Sequence, residues 1–394
     1  VFVAESIPYH LCRVSRCIER SFRVPAPARD PAGFAEALRA IALDNGIDVL
    51  IPTCEEIFHL ARENRRLEGA CRVFVPGLDD LDRLHHKDKF IRLAEQAGLP
   101  VPATELFDTP DGWLPLLKDE RYRDGIVLKP AYSRFASRVI RIDSQKYGGG
   151  KLDKDRIHAL PVAGSWGASR DAVMRKLTEG GLSPIRPWIA QAMLHGDEWC
   201  TYGVAHGGEL TAFAAYRSRF RAGLGASTHF ASASHPPLLD WVRRFVRHTG
   251  FTGQIAFDFM VASDGSVLPM ECNPRATSGI HLFGPGDRLA EAILHPDTLL
   301  RHDGVAFPGE AGGSGAMLSA AMFTYGFMHA CRQQRVREWM QACRASRDAV
   351  YRRDDAWPSV EQFRLLGWAL WTARRHGLTL QEALTSDIEW NGER

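Results

Sequence analysis

The chain has 394 residues, 45% hydrophobic and 24% charged, enough to bury a full core across roughly two or three domains. Lys+Arg of 49 against Asp+Glu of 47 gives a net charge of +2, without the clustered basic excess that marks a nucleic-acid or anionic-membrane binder. Eight cysteines without a C-x-x-C pair exclude a disulfide scaffold and read as reduced thiols of a cytoplasmic protein, and no apolar stretch approaches the roughly 20 residues that cross a bilayer.

From Val1 to about Leu84 the strands V-F-V-A, D-V-L-I-P and R-V-F-V-P alternate with a helix over Asp30 to Asn45, a pattern that predicts a parallel sheet. The opening V-F-V-A-E-S carries no signal peptide and no initiator Met and reads as mid-strand, so the chain is expected to start inside a longer natural one. A helix follows from about Lys87 to Ala97, stopped by Gly98, Pro100 and Pro102. Ile126 to Ile142 reads as strand, small-residue turn, strand; Tyr147 to Gly167 reads as a mobile loop. Strands dominate from about Trp188 to Cys272, with hairpin turns at Gly207-Gly208 and Asp264-Gly265. A glycine-rich link, Gly309 to Gly315, leads into amphipathic helices including Arg335 to Ala345 and Val360 to His376.

The segment Gln254 to Arg275 carries the most chemistry. Ile255, Phe257, Phe259 and Val261 alternate onto one face, and a two-residue turn at Asp264-Gly265 sets Asp258 opposite Glu271. Asn273 falls on the same polar face, while Leu268, Met270 and Cys272 join the apolar one. Opposed carboxylates about 5 Å apart repel unless a proton or cation sits between them, and hard oxygen donors with one amide suit Mg²⁺. Pro269 removes a ladder donor and marks an edge or a bulge.

Only eight of the basic residues are lysines, all between Lys87 and Lys176, which makes each one informative. Lys129 ends an apolar strand before a serine-rich turn, a position that suits a polyphosphate contact and equally a lysine snorkelling at a strand end. Arg217, Arg219 and Arg221 recur at period two, so an extended backbone presents three guanidinium groups on one face, either to an anion or to solvent. His281 lies in the stretch Thr277 to Phe283, which directly follows the hairpin and should line a substrate pocket, and is read as a structural residue in preference to a pocket one; Cys200 and Cys272 are read as core residues on the alternate face.

Taken in order, H-K-D-K-F, V-L-K-P with its small-residue loop, I-A-Q-A-M-L-H-G-D-E, F-D-F and E-C-N-P-R resemble the ATP-grasp superfamily of carboxylate-amine and carboxylate-thiol ligases. The last motif looks most like the synthetase domains of the carbamoyl phosphate synthetase large subunit, and the likeness covers about Val1 to Leu300. It implies an α/β (α+β) fold: a Rossmann-like pre-ATP-grasp domain over residues 1–84, an ATP-grasp domain over 85–300 with a lid at about 110–195, and a helical region over 301–394.

The same resemblance implies ATP and one or two Mg²⁺ ions as cofactors. Asp258, Glu271 and Asn273 would hold the metal, and Arg275 would contact the γ-phosphate or an acyl phosphate; Arg219 and Arg221, from their spacing rather than from the resemblance, are further candidates for an acyl phosphate or a substrate carboxylate. Lys129 would reach the α and β phosphates. Lys87, eleven positions before Gly98, would be the second phosphate lysine, with Lys89 as its alternative. Gln191 would face the adenine amino group, Ala192 and Leu194 would offer backbone groups to the ring, and Glu198 would take the ribose hydroxyls. The implied reaction joins a small-molecule carboxylate to an amine through an acyl phosphate, releasing ADP. Activation for a thiol, a hydroxyl or a carboxylation, and a non-catalytic ATP-binding regulator, are the alternatives. No nucleic-acid or membrane partner is expected, and a homo-oligomer is left open. One departure stands out: the phosphate-covering loop of the family is glycine-rich, whereas Ala131 to Arg138 contains no glycine.

Overall fold

The computed structural model describes residues 1–132, 138–143, 159–161, 170–222, 226–301, 304–309, 315–390 and 392. At the N-terminal side, β1 (Phe2–Glu5) pairs in parallel with β2 (Arg20–Arg23), and β3 (Val49–Leu50) in parallel with β4 (Arg72–Val73). The predicted parallel pairing is present, but as two separate ribbons rather than one sheet. The helix Pro31–Asn45 packs against them through Phe34, Leu38 and Ile41. Its limits follow local chemistry: the Asp30 carboxylate accepts from Gly33 N, Pro31 sits in the first turn, and Gly46 closes the end with φ of 58°.

Two short helices, Leu78–His85 and Lys87–Gln96, lead into a five-stranded antiparallel sheet. It comprises β5 (Thr104–Phe107), β6 (Gly125–Pro130), β7 (Ile140–Asp143), β8 (Ala159–Pro161) and β9 (Trp188–Ala192), in the order β5-β9-β6-β7-β8. Trp113, Tyr122, Ile126, Leu128, Ile142 and Trp188 fill its own core. Most of the segment read as a loop, Tyr147 to Gly167, lies outside the described residues, but its middle forms β8.

The larger sheet has seven strands. It holds β10 (Asp197–His206) and β11 (Glu209–Ser218), which meet at the Gly207-Gly208 turn, where φ of 56° and 86° explains the two glycines. The chain then makes a small separate ribbon, β12 (Arg221–Ala222) with β13 (Ala226–Ser227). It re-enters the large sheet at β14 (His229–Ser232), β15 (Gly253–Val261), β16 (Val267–Asn273), β17 (Gly315–Met317) and β18 (Ser346–Asp348), in the order β16-β15-β10-β11-β14-β17-β18. The helix Pro236–Thr249 covers one face, its Trp241 and Phe245 packed against Phe257. Tyr202, Phe230, Leu282 and Phe283 lie in a second core cluster.

The region expected to be helical is corrected in one respect: it also supplies β17 and β18 to the large sheet. Segments of three residues are too short to show alternation, so only pairing reveals them. Of the glycine-rich link, residues 310–314 lie outside the described part. The long helix Trp357–His376 turns Glu361, Ala369 and Ala373 inward, with Arg13 ion-paired to Glu361 at 2.9 Å. Its apolar side points outward: Trp357 is 59% exposed and Phe363 74%, with Val360, Leu366, Leu370 and Trp371 also exposed. Farther along, Trp390 inserts among Ile57, Phe58 and Leu81 of the N-terminal region. Among the described residues, no helix is long and apolar enough to cross a membrane.

Candidate active site

The hairpin β15–β16 sets Asp258 directly opposite Glu271, the predicted pairing, but by a different route. The loop runs over five residues between Val261 and Val267, and Phe259 pairs with Pro269. Met270 is therefore an extra residue on β16, a bulge beside Pro269 that restores the register at Asp258. It also corrects the apolar face: Val267 and Cys272 enter the core together, while Leu268 and Met270 do not. β16 is the edge strand of its sheet, where a proline costs no ladder bond.

Two lysines from other elements converge on this hairpin. Lys129, at the end of β6 and 8% exposed, donates to Gln191 Oε1 at 3.0 Å and to the carbonyl of the bulged Met270 at 3.1 Å. Lys87, 2% exposed, places Nζ 3.6 Å from Glu271 Oε2, and its N–H donates to Ala131 O. The alternative, Lys89, points away to Asp82 at 2.6 Å. Burial first, and then the nearby Lys87, brings the Lys129 amine down to about 8. Burial alone would raise Glu271, but Lys87 and Lys129 outweigh it and hold the carboxylate low. Asp258 is raised, first by burial and then by Glu271 opposite, and the two carboxyls share a hydrogen bond.

Asn273 completes the polar face at the end of β16. Its Nδ2 lies 3.5 Å from Glu271 Oε1, and its Oδ1 accepts from Arg275 Nη2 at 3.1 Å. Arg275, only 15% exposed, also donates to Ala276 O and stands 3.5 Å from Glu55 Oε1. The chemistry of this donor set fits a hard divalent cation through Asp258 and Glu271, while the Asn273 oxygen is engaged by Arg275. No group of three or more His, Cys, Asp or Glu side chains suited to a metal occurs among the described residues.

The nucleotide-side candidates lie on β9 and β10. Gln191 is 3% exposed and uses both ends of its amide, accepting from Lys129 and donating to Thr104 Oγ1 at 3.2 Å. Ala192 gives its N–H to Ala103 O and Met193 to Gly125 O, just before the irregular turn that carries Leu194. Gly196, with φ of 152°, lets that turn lie against Val261, where a Cβ would come within 2.1 Å of the carbonyl oxygen. Glu198 follows on β10, ion-paired to Arg221.

The three arginines do not form one row. β11 stops at Ser218, Phe220 is buried in a separate core cluster, and Arg219 is left exposed. Arg217 pairs with Asp197 over Trp199, and only Arg221 joins the site through Glu198. Period two predicts a common face only while the strand continues, and a buried aromatic ends it here. Cys200 is corrected as well: it pairs with Asp258 across β10 and β15 and shares a hydrogen bond with it, whereas Cys272 is a core residue. Its spacing of two from Glu198 was the available signal. His281 sits in the turn Ser278–Leu282, its ring 6.1 Å from Phe230 and its carbonyl accepting from Arg347. Most of the loop between Ala131 and Arg138 lies outside the described residues.

Sequence reasoning missed three further groups. Glu55 is fully buried beside Arg275, and no periodicity marks it. His85 is buried near Glu55 and Lys87, and burial brings its imidazole down to about 4, which keeps it neutral. Arg141 on β7 stands opposite Val127, on the Lys129 face of the sheet, where strand alternation could have found it.

No family model matches the sequence, and no curated protein matches it. Solved structures do. Biotin carboxylase from Campylobacter jejuni aligns over 70% of this chain and 59% of its own, at 12% identity and a TM-score of 0.51. The biotin carboxylase domain of the Hydrogenobacter thermophilus 2-oxoglutarate carboxylase aligns over the same shares, at 11% identity and 0.50. The chain has the ATP-grasp fold. An L-amino acid ligase from Bacillus licheniformis overlaps less well, at 17% identity and a TM-score of 0.44 over 66% of this chain and 57% of its own. The matched part thus spans less than two thirds of the length of each of these three structures.

Proposed function

We propose that the chain is an ATP-dependent ligase that activates a carboxylate as an acyl phosphate and passes it to an amine, releasing ADP and phosphate. The observation that carries this reading is the convergence of two lysines on the β15–β16 hairpin, Lys87 beside Glu271 and Lys129 on the Met270 carbonyl, with Asp258 opposite Glu271 and Arg275 bonded to Asn273. Cations and carboxylates that neutralise one another where two sheets meet suit a magnesium-bound polyphosphate. In this reading Lys87 and Lys129 hold phosphate oxygens, Arg275 meets the moving phosphoryl group, and Asp258 and Glu271 hold Mg²⁺, with Asn273 beside them. Mg²⁺ would neutralise charge on the β and γ phosphates. Gln191, Ala192, Leu194 and Glu198 form the nucleoside side, with Arg221 fixing Glu198. Positioning and charge neutralisation carry such a transfer, so no nucleophilic side chain is required.

Residues 1–84 act in this scheme as the pre-ATP-grasp domain, 85–300 as the catalytic domain and 301–394 as an appended region. The free thiols of all eight cysteines support a reducing, cytoplasmic setting. A second copy of the chain suits the outward apolar stripe of the helix Trp357–His376, whose six half-exposed side chains offer on the order of 600 Å², near the ~800 Å² per partner of a standard interface.

A carboxylating variant of the reaction has one observation in its favour: the Hydrogenobacter domain was solved with MgADP and bicarbonate. One experiment separates the readings. The protein is incubated with MgATP, hydroxylamine and either a panel of carboxylic acids and amino acids or bicarbonate, and products are followed by ³¹P NMR. Hydroxamate with ADP supports the ligase; ADP formed only with bicarbonate supports carboxylation; AMP with pyrophosphate overturns both.

A further inference from the structure

The residues around Trp390 are tied to the N-terminal region far more firmly than a surface tail requires. Its ring is 4% exposed, stacked on Phe58 at 5.6 Å and 8°, edge-on to His59 at 5.3 Å, and roofed by the Arg62 guanidinium at 5.5 Å. His59 Nε2 lies 3.3 Å from Glu389 O, and Ala28 N donates to Asp387 O at 2.9 Å. The Trp390 N–H donates to Glu55 Oε2 at 3.3 Å. The other oxygen of that buried carboxylate is the one 3.5 Å from Arg275 Nη2, and the same nitrogen donates to Asn273 Oδ1. A continuous path of contacts therefore runs from Trp390 through Glu55 to the arginine of the candidate site.

We infer that Trp390 is a positioning residue for Arg275: its docked ring fixes the backbone N–H that holds Glu55, and Glu55 holds the guanidinium against Asn273. A guanidinium has five donors and many rotamers, and one that must meet a moving phosphoryl group gains from being held before substrate arrives. Two fixed acceptors, Asn273 Oδ1 and Ala276 O, and the facing charge of Glu55 restrict its orientation. The kinetic part of this inference rests on the phosphoryl-transfer role proposed above for Arg275; the placement of the side chain does not.

The test reads the two parts separately, on the full chain. Phenylglyoxal modification of Arg275 is mapped by mass spectrometry, with the 75%-exposed Arg123 as internal reference. Trp390→Ala should raise the relative rate at Arg275 at least fivefold. Trp390→Phe, which keeps a stacking ring, should stay within twofold of the wild type. Trp390→Leu keeps the site filled without stacking, and serves if the alanine variant does not fold; it should also deprotect Arg275. With a turned-over substrate, kcat should fall about tenfold in the deprotected variants while KM for MgATP changes less than threefold, because Lys87, Lys129 and Gln191 lie on other elements. Unchanged protection of Arg275 in a folded alanine or leucine variant overturns the inference, as does a loss of kcat that the phenylalanine variant shares. Deprotection in a chain that transfers no phosphoryl group supports the placement and refutes the proposed reaction.

Discussion

Replacing Lys129 by methionine tests the electrostatics of the site without changing its volume much. The amine falls from 10.5 to about 8 because it is buried, which corresponds to roughly 3 kcal/mol of burial cost. Below pH 8 the folded and unfolded chains both carry the proton and the full cost is present. Between about 8 and 10.5 only the unfolded chain keeps it, so stability rises with pH across that window. Against this stand the two hydrogen bonds to Gln191 and Met270, worth about 1.5–3 kcal/mol each when the donor is charged. The terms nearly cancel, and at pH 7 the variant and the wild type should agree in unfolding free energy to about 1–2 kcal/mol. As pH rises from 7.5 to 9.5, the wild type should gain about 2 kcal/mol on the variant. MgATP affinity at pH 7 should fall tenfold or more in the variant, following the loss of a charge-assisted bond. Urea unfolding across the pH series and calorimetric titration with nucleotide supply both readings. A stability difference that is flat with pH, together with unchanged nucleotide affinity, would refute the reasoning.

Glu271→Gln removes the carboxylate charge that Lys87 pairs with and should destabilise the nucleotide-free protein by about 1–3 kcal/mol in denaturant unfolding, whereas Asp258→Asn, which relieves crowding of two carboxyls, should cost less than about 1 kcal/mol. Both should lose magnesium-dependent turnover, measured as phosphate release; a fully active Glu271→Gln would remove that residue from the metal site. Arg219→Ala should keep turnover within twofold because the side chain is exposed, while Arg275→Ala should lose at least a hundredfold in steady-state rate. Phe363→Asp on the outward stripe should halve the mass seen by light scattering without changing the melting temperature of the monomer; an unchanged mass would leave that face to solvent.

The hairpin was legible because alternation and a turn signal both lay within about twenty residues. Even so, the two-residue turn was wrong and the pairing survived only because the Met270 bulge adds back the residue that the longer loop takes away. Pro269 hinted at this bulge but could not say which way the register would move. The arginine row fails for the opposite reason: alternation holds only as far as Ser218, beyond which burial of Phe220 redirects the chain. Lys87 and Lys129 are each legible alone, yet their convergence on the β15–β16 hairpin is a tertiary fact. Glu55 stayed invisible because its partners, Arg275 and Trp390, are hundreds of residues away. β17 and β18 escaped because three residues carry no period.

The docking of Trp390 against Phe58 also sets an order of events during synthesis. Ile57, Phe58 and Leu81 emerge from the ribosome long before the ring that completes their cluster. Until then the early region lacks the ring that closes this cluster, a state in which chaperones or neighbouring nascent chains can bind. Closing so long a loop costs little more free energy than closing a shorter one, because the entropy grows only with the logarithm of length, but it must wait for translation. Assembly of the arginine end of the site would thus wait for residue 390, and a chain stalled before it would lack the bond from the Trp390 backbone N–H to Glu55.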